Sequence, residues 1–208
     1  MREKDRMLAG LRARIVRELY LNEWREVWFF PPFDGVEGWR GTQRIMFVGL
    51  NPSTGRFATD ADRLLYAQLK GKGFARAHLT DVIKERAIGR DVDKIERDAA
   101  RMERYRRYLR KEVDIVRPRL IVAMGNRAYR FVADWLGSQA PVRRIPHYAA
   151  RFPSSATRRR FTAKIAGIRH EYERISALPR TNGQPGRDRQ HGGANYGMQP
   201  TARRARRG

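Results

Sequence analysis

Short runs of purely apolar residues punctuate the chain, and longer stretches of mixed polarity separate them. Ile45-Met46-Phe47-Val48 contains no polar position, the mark of a strand buried on both faces, and a strand is expected over 44–50. "LIVAMG", 120–125, has the same character and follows Pro118. "AHLTDVIK", 77–84, reads as another strand, and "PVRRIPHYAARF", 141–152, as a short strand and a loop.

Between these runs the period changes. Met7, Leu8, Leu11, Ile15, Leu19 and Tyr20 recur near helical spacing among Arg and Glu, which predicts an amphipathic helix within 7–24. "WFFPPFDGVEG", 28–38, is an aromatic loop whose prolines exclude a central strand. Asp60 is suited to cap a helix that runs to about Lys70 with Leu64, Leu65 and Leu69 facing inward. A long basic helix is expected over 91–113, opened by Asp91 and Asp93. Its segment "RMERYRRYLRKEV" reads as a solvated face that also suits phosphate contact. Further helices are expected through Ala128, Phe131, Val132 and Trp135, and over about 154–177.

Strands alternating with helices predict an α/β fold, a three-layer α/β/α sandwich around a central, mainly parallel four-stranded sheet. Residues 1–179 are expected to form one domain. From Thr181 the text turns to aperiodic Gly, Gln and Arg, which predicts a disordered basic tail over 180–208. Sites in such sheets gather outside the carboxyl ends of the strands. Asn51, Asp81, Asn126 and His147 follow the four strands and are expected to converge there.

Charge narrows the partners. The formal net charge is +23. Seven Arg and one Asp from Arg180 onward contribute +6 and leave +17 on residues 1–179. A folded part this basic points to nucleic acid. There are no cysteines, which excludes disulfides, thiolate zinc sites, iron–sulfur clusters and a cysteine nucleophile. No His or carboxylate close to His147 in the sequence would complete a metal site, so no metal and no cofactor are expected. "MREKDRMLAG" has no apolar signal core and no run approaches a membrane span, so a cytoplasmic protein without membrane contact is expected.

The strand-end segments resemble, in order, the motifs of the uracil-DNA glycosylase superfamily. "GLNPS", Gly49 to Ser53, is similar to the GINPG of its mismatch-specific branch, and Phe57 stands where several branches carry a base-stacking aromatic. "TDVIKER", 80–86, resembles the second motif. "LIVAMGNRAYRFV" resembles the third, and "IPHYAAR" the last, usually HPS. The resemblance spans about 44–152. It implies a monomeric, monofunctional DNA-repair glycosylase that extrudes a base from single- or double-stranded DNA. Asn51 would orient water at C1′ and His147 would hold the base carbonyl. Gly49, Pro52, Ser53, Phe57, Asp81, Tyr148 and Arg151 would contact substrate. Backbone N–H groups after Pro52 also suit a phosphate or base carbonyl.

The pattern is not followed everywhere. Asp81 stands where the family reads the base with Asn, and Tyr148 and Arg151 stand near the missing serine of HPS. An ionised Asp accepts but does not donate, so the expectation is weak action on uracil and a gain in Asp81→Asn. Structural roles compete with each assignment: a plain Asn–Pro turn, a core Phe57, an Asp81 paired with Arg. The rival functions are a glycosylase-like protein that binds nucleic acid without cleaving it, and an enzyme on a small nucleotide. A small substrate has no need of +17.

Overall fold

A computed structural model describes residues 3–20, 27–52, 56–149 and 155–178. Ser53, Arg151 and the expected tail over 180–208 lie outside the described residues.

Four strands, β1 (Ile45–Gly49), β2 (His78–Asp81), β3 (Leu120–Met124) and β4 (Val142–Ile145), form one sheet in the order β2–β1–β3–β4. Every pairing is parallel, with Phe47 opposite both Leu79 and Val122, and Gly49 opposite Asp81. Among the described residues six α-helices accompany it: α1 (Glu3–Tyr20), α2 (Asp60–Gly71), α3 (Arg90–Arg97), α4 (Ala99–Val116), α5 (Asn126–Leu136) and α6 (Ser155–Ala177).

The unbroken apolar runs have a direct cause. Successive side chains on a strand point to opposite faces. Met46, Val48, Ile121 and Ala123 pack into a core built with α1, α3, α4 and α5. Ile45, Phe47, Leu79, Leu120, Val122 and Met124 pack into a second core with Leu65, Tyr66 and Leu69 of α2 and Phe161, Ile165 and Ile168 of α6. Both faces of the central strands β1 and β3 are covered, so neither parity there is polar. The edge strands differ: β2 buries His78, Thr80 and Asp81, and Arg143 and Arg144 of β4 are exposed and blunt the open edge.

Three local expectations are corrected. Thr59, not Asp60, caps α2. Its hydroxyl accepts from the Asp62 N–H while Asp62 accepts from the Thr59 N–H, a reciprocal capping box. The basic helix is two helices. Asp98 leaves the helical conformation and its carboxylate accepts from the Arg101 N–H, so it ends α3 and starts α4. The α4 segment read as solvated is so on one side only: Glu103, Arg107, Arg110 and Lys111 are exposed, but Tyr105 and Tyr108 are buried, the Tyr105 hydroxyl donating to Glu85 and that of Tyr108 to Glu18.

These tyrosines belong to a polar layer that pins the segment after β2. Glu85 also accepts two bonds from the Arg101 guanidinium, each 3.2 Å. Lys84 is fully buried; its ammonium pairs with Glu112 Oε1 at 2.6 Å and donates to Thr80 Oγ1 at 2.6 Å and to the Asp81 carbonyl. His78 Nε2 lies 3.2 Å from Glu112 Oε2, a structural role. Burial pushes the Glu112 carboxyl up, but Lys84 and His78 outweigh burial and hold it below the usual range.

Candidate functional site

Parallel strands all end on one side, so the residues that follow them share one crest. Leu50, Asn51, Met124, Gly125, Asn126, Arg127, Ala128, Pro146 and His147 line a cleft of about 390 Å³ there. Three of the four residues expected to converge, Asn51, Asn126 and His147, are in it. Asp81 is not among the lining residues.

The turn after β1 is fastened to the segment after β2. Val82 and Ile83 donate their N–H groups to the Gly49 and Leu50 carbonyls. The Asn51 side-chain amide donates to the Pro52 carbonyl at 2.9 Å and the Ala87 carbonyl at 2.7 Å. Both amide protons are thereby engaged, and Oδ1 receives no hydrogen bond from the described residues. Asn51 thus fastens the turn and lines the cleft. Pro52 is buried in this turn.

His147 is placed by Gly125. That glycine adopts φ 98°, and a Cβ there would meet the His147 Cβ at 3.4 Å. His147 Nδ1 accepts from the Ala149 N–H at 3.1 Å, so a neutral ring carries its proton on Nε2. Burial lowers the imidazole from its ordinary value, against a small opposing pull from Asp62. At neutral pH His147 is an uncharged donor. Gly125 also precedes α5; Arg127, in its first turn, is clasped by Asp93 at 2.7 Å and Glu96 at 2.9 Å.

Beside the cleft, on the α2 face of the sheet, lies an acid and aromatic group. Asp81 shares the parity of Leu79 and faces the same core. Phe57 sits part-buried in an aromatic cluster, edge-on to Phe33 and Tyr66 at 5.2 and 5.6 Å and tilted against Trp28. Tyr148 packs on that core and stacks on His147, ring centroids 4.8 Å apart and 16° from parallel. Burial, then the carboxylates of Asp81 and Asp62, hold its phenol well above the ordinary value.

The environment of Asp81 corrects one expectation. No arginine among the described residues pairs with it. Burial pushes its carboxyl up to about 7; Lys84 opposes this, and Glu112 and Asp62 reinforce it. At neutral pH Asp81 is therefore not simply an ionised acceptor. Asp62 and Tyr66 were missed by sequence reasoning; the Thr59–Asp62 capping spacing was the available signal for Asp62.

Positive charge flanks the crest. Arg158, Arg159 and Arg160 are exposed at the amino-terminal end of α6, the helix that follows the His147 loop.

An all-parallel α/β/α sandwich with an Asn–Pro turn, a glycine-led helix and a histidine loop at one crest defines a doubly wound α/β protein with a cleft at the carboxyl ends of its strands. The sequence pattern of the Uracil DNA glycosylase superfamily matches residues 38–176, and the chain belongs to that superfamily. This match covers the whole sheet and every helix except α1, α6 to within a residue of its end. A comparison with curated proteins finds no match.

Proposed function

We propose that this protein is a DNA-repair glycosylase, a monomeric and monofunctional hydrolase of the bond between a flipped base and its deoxyribose. The single observation that carries the reading is the Asn51 side chain, fixed by two backbone carbonyls on a residue that lines the cleft.

Extruding a nucleotide requires phosphate contacts, a surface for the base, and polar groups for its edge. The exposed arginines of α6 and the overall charge suit the first, and the Phe57 cluster suits the second. In the chemical step the glycosidic bond breaks and its electron pair leaves with the base. Water, oriented by Asn51 Oδ1, forms the new bond to C1′ and loses a proton to solvent. An amide is too weak a base to ionise water, so most of the acceleration falls to stabilising charge on the departing base. The uncharged His147 Nε2–H is the donor suited to a base carbonyl that is becoming negative.

The test uses oligonucleotides carrying uracil, hypoxanthine, xanthine or a mismatch, single- and double-stranded, with an assay for abasic sites. Abasic sites from one or more of these are expected; none from any of them rejects the reading.

A further inference from the structure

α1 carries two apolar stripes. Leu8, Leu11, Ile15 and Leu19 face the core, as an amphipathic helix requires. Ala9, Ala13 and Val16 follow one another along a second face and are exposed, Val16 by 41%. Packing on the core gives a surface helix no need of that second stripe. It lines a cleft of about 630 Å³, together with Trp39 and Arg40 from a single 3₁₀ turn, Gly38–Arg40. This cleft shares no described residue with the one at the crest. The turn precedes β1, whereas the crest follows it. Six of the eight described lining residues belong to α1, which lies outside the residues that match the superfamily pattern.

Two observations point to an occupant. The first is charge. Arg12, Arg17 and Arg40 all line the cleft, and among the described residues no carboxylate pairs with any of them. Arg12 lies over the Phe29 ring, 5.2 Å from its centre. Asp5 is the one carboxylate among the described lining residues, against three guanidiniums. The second is Trp39. Its ring is edge-on to Phe29 at 4.5 Å and tilted against His78 at 4.8 Å, and the Lys84 ammonium stands 5.4 Å from it. Trp39 is 2% exposed, and its indole N–H has no acceptor among the described residues. A buried donor is seldom left in that state.

We propose that this cleft docks an acidic segment of a partner protein, one that carries aliphatic or aromatic side chains between its carboxylates. The carboxylates answer the three guanidiniums. The apolar side chains cover Ala9, Ala13 and Val16, and an oxygen of the segment supplies the acceptor that the Trp39 indole lacks. Other occupants leave one of these features idle. A nucleic-acid backbone would answer the arginines, but its phosphates need no apolar floor. A second copy of the chain would bring like charge, since each carries +23. The inference is independent of the glycosylase reading.

The test titrates the full chain with a fluorescent peptide, two repeats of Asp-Asp-Leu-Asp-Asp-Phe, at about 0.15 M salt. Anisotropy follows binding, and the assigned indole N–H resonance of Trp39 locates it. Saturable binding that shifts this resonance is expected. Replacing Leu and Phe of the peptide with Ser should weaken binding about tenfold or more, and so should Val16→Asp, or Arg17→Glu with Arg40→Glu, in the protein. These three positions are exposed, and an unchanged Tm shows that the variants fold. Four results each overturn the proposal: no saturable binding, equal affinity for the Ser peptide, an unmoved Trp39 resonance, or an undamaged duplex that displaces the peptide and shifts that resonance itself. The last would assign the cleft to nucleic acid. The Ser peptide and the Trp39 resonance keep the test decisive even if a variant does not fold.

Discussion

Gly49 and Asp81 are partners in the β1–β2 register, and the Asp81 carboxyl fills the space that a side chain on Gly49 would need. A Cβ there would stand 2.2 Å from Asp81 Oδ1. The glycine is required by this close approach and not by its backbone angle.

Gly49→Ala is therefore expected to displace Asp81 and to destabilise the fold by about 1–3 kcal/mol, the usual range for overpacking a dense site. Thermal unfolding measures the loss. An unchanged Tm would mean that Asp81 has an alternative seat at no cost.

Asn51→Ala should slow base release about a hundredfold or more while leaving DNA affinity nearly intact, because its contribution lies in the transition state. Single-turnover excision compared with equilibrium binding separates the two. Full activity would place water elsewhere.

His147→Ala should show the same separation, for a different reason: it removes the Nε2–H donor. Because burial lowers the imidazole, protonation of His147 should not shape the wild-type profile near neutral pH. A His147-dependent inflection above pH 7 would contradict the neutral-donor assignment.

Glu112→Gln leaves the Lys84 ammonium buried without its counter-charge. The expected cost is about 3–5 kcal/mol, a fall in Tm of roughly 10 °C for a domain of this size. The folded Glu112 carboxyl is depressed, so its stabilisation is present above the ordinary Glu range and is lost as pH falls through the folded value. Wild type should lose this increment on acidification and the Gln variant should not. Parallel stability curves in acid would refute the assignment.

Binding to DNA should weaken steeply with salt, with a log–log slope of about −0.9 for each phosphate neutralised on duplex. Replacing Arg158, Arg159 and Arg160 with Ala should flatten that slope. A slope unchanged by the triple substitution would move the phosphate contacts off α6.

The strands and the layer order were legible because their cause is local. Both faces of β1 and β3 are buried, so every position had to be apolar, whatever the partner. The crest was legible for the same reason: once the strands are parallel, Asn51, Asn126 and His147 must stand at one edge. The break between α3 and α4 was missed because Asp98 reads equally well as a surface residue of one long helix; only its cap to Arg101 distinguishes the two. The tyrosines of α4 looked solvated because their partners, Glu18 and Glu85, are distant in sequence. The form of Asp81 was illegible on principle. A carboxyl's proton is set by what is packed around it, and Asp62, Glu112 and Tyr148 reach Asp81 only through the tertiary fold.

The order of the sheet carries a consequence for synthesis on the ribosome. β1 acquires its first partner early, since Met46 pairs with His78. Its other side pairs with β3, beginning with Ile45 opposite Leu120, so all of α3 and α4 must be translated first. During that interval the nascent chain carries Ile45, Met46, Phe47 and Val48 on a strand with one open edge. Such an edge invites pairing with another chain. The yield of soluble protein should therefore respond to chaperones acting at the ribosome more than the purified protein's Tm would suggest.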